Sequence, residues 1–194
     1  MTSSLGIVDN FAPNLQEIKR YGLCLDYSIP PIYDGHEYPG FSPSLDPRFT
    51  LSYAAKMAGV FGVHPRIHLQ AFVFLKDGES TAQWIHSDGI CAKYASVHYL
   101  FNESGHGTQF WKHREFNADD MSSVLSPLSV NELSEKFQQE GNDDSFWVRT
   151  DLADSRENRF IWYPSDRFHS RAQRCGFTSA DGQGRLVLVT FFDL

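Results

Sequence analysis

The chain has 194 residues, 41% of them hydrophobic and 21% charged, which is typical of a folded globular domain rather than a disordered chain. Its net charge of −7, with no cluster of Lys and Arg residues, argues against electrostatic binding of nucleic acid. No stretch reaches the ~18 consecutive apolar residues of a membrane span, and residues 1–6 do not resemble a signal peptide. Three widely spaced cysteines, Cys24, Cys91 and Cys175, favour free thiols in a reducing compartment. We therefore expect a single cytoplasmic domain over residues 1–194.

The first 65 residues carry helix signals rather than strand signals. Asn14 followed by Glu17 is an N-cap pattern that predicts a first helix. Residues 28–47 are rich in proline and predict an irregular segment. Asp46-Pro47 then predicts the start of a second helix, since proline is favoured at the first helical position. We expect residues 1–65 to form a helical lead-in.

From Arg66 onward the pattern changes to short apolar runs that predict strands. Residues 117–145 interrupt them with a capping box at Ser129 and Glu132, which predicts a helical insertion. Helices followed by many short strands favour an antiparallel β-sandwich or barrel with helices against one face, formed by residues 66–194. The predicted strands cover residues 66–75, 82–88, 95–101, 108–111, 159–163 and 185–192.

The first candidate for chemistry is His86-Ser87-Asp88. On a strand, residues i and i+2 point to the same face, so the imidazole and the carboxylate lie side by side. With a second histidine from another strand they form the two-His-one-carboxylate face that binds Fe(II) and leaves positions open for O₂ and a chelating cosubstrate. The pattern alone is weak, because His113-Arg114-Glu115 also fits it.

A second candidate is Arg185, which begins the most apolar strand of the chain. A lone arginine at the start of a buried strand is costly unless it meets an anion. Its planar fork suits a carboxylate, which it binds through two parallel hydrogen bonds. A surface arginine at a strand end is the alternative interpretation.

Several motifs in order resemble the prolyl-hydroxylase-like branch of the Fe(II)- and 2-oxoglutarate-dependent dioxygenases. They are His86-x-Asp88, Tyr99-Leu100, Gly105-His106-Gly107-Thr108, His169, and Arg185 through Phe191-Phe192-Asp193. The resemblance covers residues 66–194 and implies an antiparallel double-stranded β-helix, or jelly roll. By position, His86, Asp88 and His169 match the iron ligands. Arg185 matches the residue that pairs with the distal carboxylate of 2-oxoglutarate, and the Tyr99 hydroxyl matches a second contact to it. Arg171 and Arg174 are fallback candidates for Arg185.

The resemblance also implies a reaction. Fe(II), 2-oxoglutarate and O₂ would yield succinate and CO₂ while a substrate is oxidised, with ascorbate as a possible supporting reductant. Asp88 favours hydroxylation or another oxidation over halogenation, because related halogenases lack this carboxylate. Two alternatives are a non-catalytic jelly-roll binding protein and a cupin-like metal enzyme that does not use 2-oxoglutarate. Neither alternative requires a carboxylate clamp at Arg185 and Tyr99.

The substrate is not defined by the sequence. A small molecule or a peptide fits the acidic chain better than a polyanion does. His68 and Gln70 share one face of the strand over residues 66–75. If that face points into the barrel, these two side chains line the substrate pocket.

Overall fold

The computed structural model describes residues 5–33, 36–78, 84–89, 92–173, 176–178, 182 and 184–194. The helices within this part of the chain are α1 (Leu15–Leu23), α2 (Pro47–Phe61) and α3 (Val130–Glu140). None of these helices is both long and apolar enough to cross a membrane. The strands are β1 (Gly6–Val8), β2 (Ile32–Tyr33), β3 (His36–Glu37), β4 (Phe41–Ser42), β5 (Arg66–Leu75), β6 (Tyr94–Tyr99), β7 (Thr108–His113), β8 (Trp147–Ala153), β9 (Arg159–Pro164), β10 (His169–Arg171) and β11 (Arg185–Asp193).

Two antiparallel sheets enclose the interior of the domain. The major sheet has six strands in the order β1-β9-β6-β11-β5-β4, and the minor sheet has three in the order β10-β7-β8. Strands β2 and β3 form a separate pair. Apolar side chains from both sheets meet in one cluster, which includes Val97, Tyr99, Phe110, Tyr163 and Val187. This cluster marks the inner face of each sheet.

Helices α1 and α2 cover the outer face of the major sheet. Ile18, Tyr53 and Met57 pack there against Phe72 and other residues of the same cluster. Helix α2 begins at the predicted N-cap, where the Asp46 carboxylate accepts a hydrogen bond from the Arg48 backbone N–H at 2.8 Å. Helix α1 follows the predicted Asn14, but the Asn14 side chain caps no backbone N–H.

The helical insertion covers the outer face of the minor sheet. Helix α3 carries the predicted capping box, with Ser129 and Glu132 bonded reciprocally. Its Leu133 and Phe137 pack against Trp111 of β7 and Trp147 of β8. The domain therefore has the order helices, major sheet, interior, minor sheet and insertion.

Strands β1 to β4, β8 and β10 were not predicted from the sequence. The lead-in over residues 1–65 is therefore not purely helical, and the segment over residues 28–47, expected to be irregular, contains the short strands β2, β3 and β4. Within the predicted strand over residues 82–88, the described residues form a single bridge, from His86 to His169. Cys24 is an exposed free thiol, whereas Cys91 and Cys175 lie outside the described residues.

A buried histidine anchors the N-terminal segment to the major sheet. His98 of β6 is fully buried under Phe11 and Tyr53, and its Nε2 lies 3.0 Å from Oδ1 of Asn158. The same Asn158 side chain accepts from the Ala12 backbone N–H at 2.9 Å and donates to the Ala12 carbonyl at 3.0 Å. Burial lowers the pKa of His98 to about 4, so the ring is neutral in the folded protein at pH 7.

We expect His98 to make the protein less stable as the pH falls from about 6.5 to about 4. The unfolded chain takes up the proton near the ordinary pKa, whereas the folded protein resists it until about pH 4, so acid favours unfolding over this interval. The loss from this one group is at most about 3 kcal/mol. Urea unfolding of the wild type and His98→Gln between pH 4 and 7 measures it. Equal pH slopes for the two proteins would contradict the assignment.

Candidate metal centre and anion pocket

The structure brings His86, Asp88 and His169 together at one point of the interior. One ligand atom from each lies within 4.8 Å of the others. Two backbone hydrogen bonds to His169 of β10 hold His86 there. The His86 N–H donates to the His169 carbonyl at 3.0 Å, and the His86 carbonyl accepts from the His169 N–H at 2.8 Å. The Asp88 backbone N–H donates to the Ser165 carbonyl at 3.0 Å, directly after β9. Two segments that are distant in the sequence thus converge.

Both histidine rings are oriented by their own backbone surroundings. Nδ1 of His86 lies 2.9 Å from the Trp84 carbonyl, and Nδ1 of His169 lies 2.9 Å from the Arg167 carbonyl. A carbonyl only accepts, so each Nδ1 carries a proton, and Nε2 is the ring nitrogen left for a metal. These Nε2 atoms face Asp88, at 3.6 Å from Oδ1 for His86 and 3.3 Å from Oδ2 for His169. This second layer of hydrogen bonds is typical of metal-binding histidines.

The electrostatics of the cluster keep the carboxylate charged. Burial alone would raise the pKa of Asp88, but His169 and His86 outweigh burial and hold it below its usual range. For His86, burial opposes the positive charge, yet the neighbouring Asp88 carboxylate raises its pKa overall. The side chains of His86 and Asp88 remain 27% and 18% exposed. The cluster therefore offers two imidazoles and one carboxylate to a cation that enters from solvent.

Aromatic rings and a second cation surround His169. The Tyr163 ring lies 4.9 Å from the His169 ring, and the Phe110 ring lies 6.4 Å from it. The Arg167 guanidinium stacks over Phe110 at 4.2 Å and forms an ion pair with Asp151. These residues were not predicted from the sequence. The i, i+2 relation of Arg167 to His169 is the signal that would have indicated one of them.

Arg185 lies at the start of β11 and is buried, with 6% of its surface exposed. Its guanidinium stands 5.4 Å from the centroid of the Phe101 ring, and its buried Nε has no hydrogen-bond partner. No carboxylate among the described residues forms an ion pair with it. Burial lowers the pKa of Arg185 to about 10, and the charge of Arg171 adds to this effect. A buried guanidinium that forms no ion pair within the described residues indicates a binding site for an anion.

Tyr99 and Thr108 place two hydroxyl groups on the inner faces of opposite sheets. The Tyr99 hydroxyl lies 2.8 Å from the Thr108 hydroxyl and 3.5 Å from the Ala153 carbonyl. Tyr99 is fully buried, and burial raises its pKa to about 12. Tyr99 pairs with Val187, two residues from Arg185 on the same face of β11. We call Arg185, Tyr99 and Thr108 the anion pocket.

The structure does not bring His68 and Gln70 close to the candidate ligands His86, Asp88 and His169. Gln70 is buried on the helix-covered face of the major sheet, where its Nε2 donates to the Thr190 hydroxyl at 3.1 Å. His68 is exposed at a register shift between β5 and β11, with its Nε2 3.0 Å from Asp193 Oδ2. The condition for their pocket role, a face that points into the barrel, does not hold.

The second His-x-Glu pair lies on the far side of the minor sheet. His113 is buried among Phe137 and Trp147, and its Nε2 lies 2.8 Å from Glu140 Oε2. Glu115 forms an ion pair with Lys136 at 2.9 Å. The His113 ring therefore joins the insertion to β7 and is not near the cluster of His86. Of the fallback arginines, Arg171 lies on β10, and Arg174 lies outside the described residues.

The chain belongs to a protein family described as "Family of unknown function (DUF6445)", whose profile matches residues 2–192. The comparison with curated protein sequences gave no match.

Solved structures share the fold at low sequence identity. HygX from Streptomyces hygroscopicus, with nickel and 2-oxoglutarate bound, superposes with a TM-score of 0.60 at 12% identity, over 97% of this chain and 82% of that one. The non-heme α-ketoglutarate-dependent epimerase SnoN from nogalamycin biosynthesis gives 0.59 at 11%, over 97% and 77%. EctD from S. alaskensis with bound Fe gives 0.54 at 13%, over 97% and 72%. HygX has also been solved with hygromycin B bound.

These similarities confirm the predicted jelly-roll fold and the resemblance to the Fe(II)- and 2-oxoglutarate-dependent oxygenase superfamily at the level of the fold. They do not single out the prolyl-hydroxylase-like branch, since none of the three is described as a prolyl hydroxylase. The likeness to these structures is therefore a likeness of fold.

Proposed function

We propose that this protein is an Fe(II)- and 2-oxoglutarate-dependent oxygenase that hydroxylates a small molecule. One observation carries the proposal: a cluster of two histidines and one aspartate opens into the same interior as a buried arginine with no carboxylate partner among the described residues. The two histidines and the aspartate would bind the iron, and the arginine would bind the distal carboxylate of 2-oxoglutarate.

The donor set fits Fe(II). Two imidazole nitrogens and one carboxylate form the protein side of a facial triad, which leaves the other positions for a chelating cosubstrate and O₂. The Trp84 and Arg167 carbonyls fix the two histidine tautomers, so both Nε2 atoms are ready for a metal. Asp88 supplies one negative charge against the charge of the cation. We assign His86, Asp88 and His169 as the ligands.

The anion pocket fits the distal carboxylate of 2-oxoglutarate. Arg185 offers a charged fork, and the hydroxyls of Tyr99 and Thr108 are the nearby polar groups of the interior. The Tyr99 hydroxyl is already bonded to Thr108, so it contributes one contact rather than an independent clamp. A cupin-like enzyme that needs only a metal would have no use for a buried arginine at this position that forms no ion pair within the described part of the chain.

When bound, iron and 2-oxoglutarate supply the oxidising chemistry, with O₂ as the oxidant and succinate and CO₂ as products. The chain itself binds and orients these groups. Asp88 would supply the third protein ligand to the metal, which favours hydroxylation over halogenation. Phe110 and Tyr163 place apolar surface around His169, which would keep water away from that side of a bound metal. A small-molecule substrate is supported by HygX, which has been solved with hygromycin B.

We expect the purified protein to convert 2-oxoglutarate to succinate in the presence of Fe(II), ascorbate and O₂, even before its substrate is known. Succinate is measured by mass spectrometry, with anaerobic and Fe(II)-free reactions as controls. Asp88→Ala, which removes the carboxylate ligand, is the protein control and is expected to form no succinate above background.

The alternatives give different results in a binding experiment. Isothermal titration of 2-oxoglutarate into protein loaded with Ni(II), which is redox-inert here, tests the cosubstrate without turnover. Metal binding without 2-oxoglutarate binding would favour a cupin-like metal enzyme. Binding of neither would favour a non-catalytic jelly-roll protein. Either result would overturn the proposed function.

A further inference from the structure

A second cation, the half-buried Arg171, lies close enough to Arg185 for its charge to act on it. Arg171 is the last residue of β10, two residues after His169. In the register of β10 and β7, His169 lies opposite Phe110 and Arg171 lies opposite Thr108. Residues directly opposite in an antiparallel pair point to the same face, so Arg171 shares the inner face with His169 and Thr108.

Arg171 and Arg185 approach the same pair of hydroxyl groups from opposite sheets. On the minor sheet, Arg171 is the cross-strand neighbour of Thr108. On the major sheet, Tyr99 is the cross-strand neighbour of Val187, two residues from Arg185. The 2.8 Å contact between the Tyr99 and Thr108 hydroxyls joins the two sheets at this level. The two arginines therefore flank one polar point of an otherwise apolar interior.

We propose that Arg171 is a second cosubstrate-binding residue, which holds the distal carboxylate of 2-oxoglutarate together with Arg185, one arginine from each sheet. The inference rests on the proposed function and extends it, because it makes the pocket a two-cation site. Arg171 lies on the same strand as the proposed metal ligand His169. Strand β10 would therefore contribute one residue near each end of the cosubstrate.

The charges support this placement. Burial is the larger cause of the lowered pKa of Arg185, and the positive charge of Arg171 is the next. The charge of Arg171 is also among those that lower the pKa of His106. Two guanidinium groups close together repel each other, and an anion between them would be attracted by both. The second arginine thereby increases the preference of the pocket for a ligand that carries a distal negative charge.

The test is the affinity of Ni(II)-loaded protein for two 2-oxo acids, measured by isothermal titration. 2-Oxoglutarate has the distal carboxylate, and 2-oxobutyrate has the same chelating end without it. We expect Arg171→Gln to weaken 2-oxoglutarate binding about tenfold or more, as for the loss of one charge-assisted hydrogen bond. We expect 2-oxobutyrate binding to change less than about twofold. Arg149→Gln, at an exposed arginine of β8, is the matched control for loss of one positive charge and should leave both affinities unchanged.

The outcomes separate the inference from the proposed function. Unchanged 2-oxoglutarate affinity in Arg171→Gln, or an equal loss for both acids, would overturn the role of Arg171 while the proposed function stands. A wild-type protein that binds neither acid would overturn the proposed function and this inference with it. A circular-dichroism melt of Arg171→Gln before titration ensures that folded protein is compared.

Discussion

We expect His86→Ala and Asp88→Ala each to lower the affinity for Fe(II) more than a hundredfold while the fold survives. Changes in groups that only support a metal ligand already cost about 10- to 100-fold in metal affinity, and loss of a ligand costs more. The fold survives because His86 is held by backbone hydrogen bonds that alanine retains. Both side chains are also partly exposed, so their removal leaves no large cavity in the core. Anaerobic titration of Fe(II), with a thermal melt of each variant, measures both effects.

His113→Ala is the control for this experiment. It removes a histidine of the same sequence pattern, but one that is buried beneath helix α3 with Glu140 as its partner. We expect this variant to lose stability, since the His113 ring packs against Phe137 and Trp147, and to keep its affinity for Fe(II). Loss of iron in His113→Ala with retention in His86→Ala would reverse the assignment of the metal site.

Local signals predicted the elements that depend on neighbours in the sequence. The Asp46 cap and the proline after it determine where α2 begins, and the apolar runs of β5 and β11 predict strands without reference to the rest of the chain. The pairing of His86 with Asp88 is also local, since it needs only the alternation of side chains along an extended segment. These features were therefore available from the sequence alone.

The orientation of each strand face could not be predicted in the same way. Strand β5 is apolar on both faces, with Phe72 towards the helices and Val73 towards the interior, so the sequence does not show which face lies inside. Gln70 was predicted to line the pocket only if its face of β5 pointed into the barrel. In the structure the helices cover that face. Strand β8 was missed because it is an edge strand, exposed from Val148 to Leu152, and has no alternating pattern.

Long-range pairing determines contacts that could not be assigned from the sequence. Arg167 and Arg171 lie on either side of His169, and their importance depends on which strand stands opposite them. The Tyr99 and Thr108 hydroxyls meet only because the two sheets face each other. No local pattern encodes contacts between sheets, so these parts of the pocket required the structure.

We expect Arg185→Ala to weaken 2-oxoglutarate binding to the Ni(II)-loaded protein by about a hundredfold, which corresponds to about 3 kcal/mol. The reason is that a buried guanidinium makes a charge-assisted, two-point contact, and its removal leaves the carboxylate of the ligand desolvated without a partner. Metal affinity should remain nearly intact, because Arg185 is not part of the cluster of His86, Asp88 and His169. Isothermal titration of the metal and then of 2-oxoglutarate measures both quantities on the same sample.

Two further variants identify the kind of contact that Arg185 makes. Arg185→Lys should recover only part of the affinity, because an ammonium group cannot form the forked contact. Tyr99→Phe should cost no more than about tenfold, the value of one hydrogen bond, since the Tyr99 hydroxyl is shared with Thr108. If Arg185→Ala instead bound 2-oxoglutarate as tightly as the wild type, the distal carboxylate would be held elsewhere, and the buried charge at the start of β11 would need another partner to offset its burial.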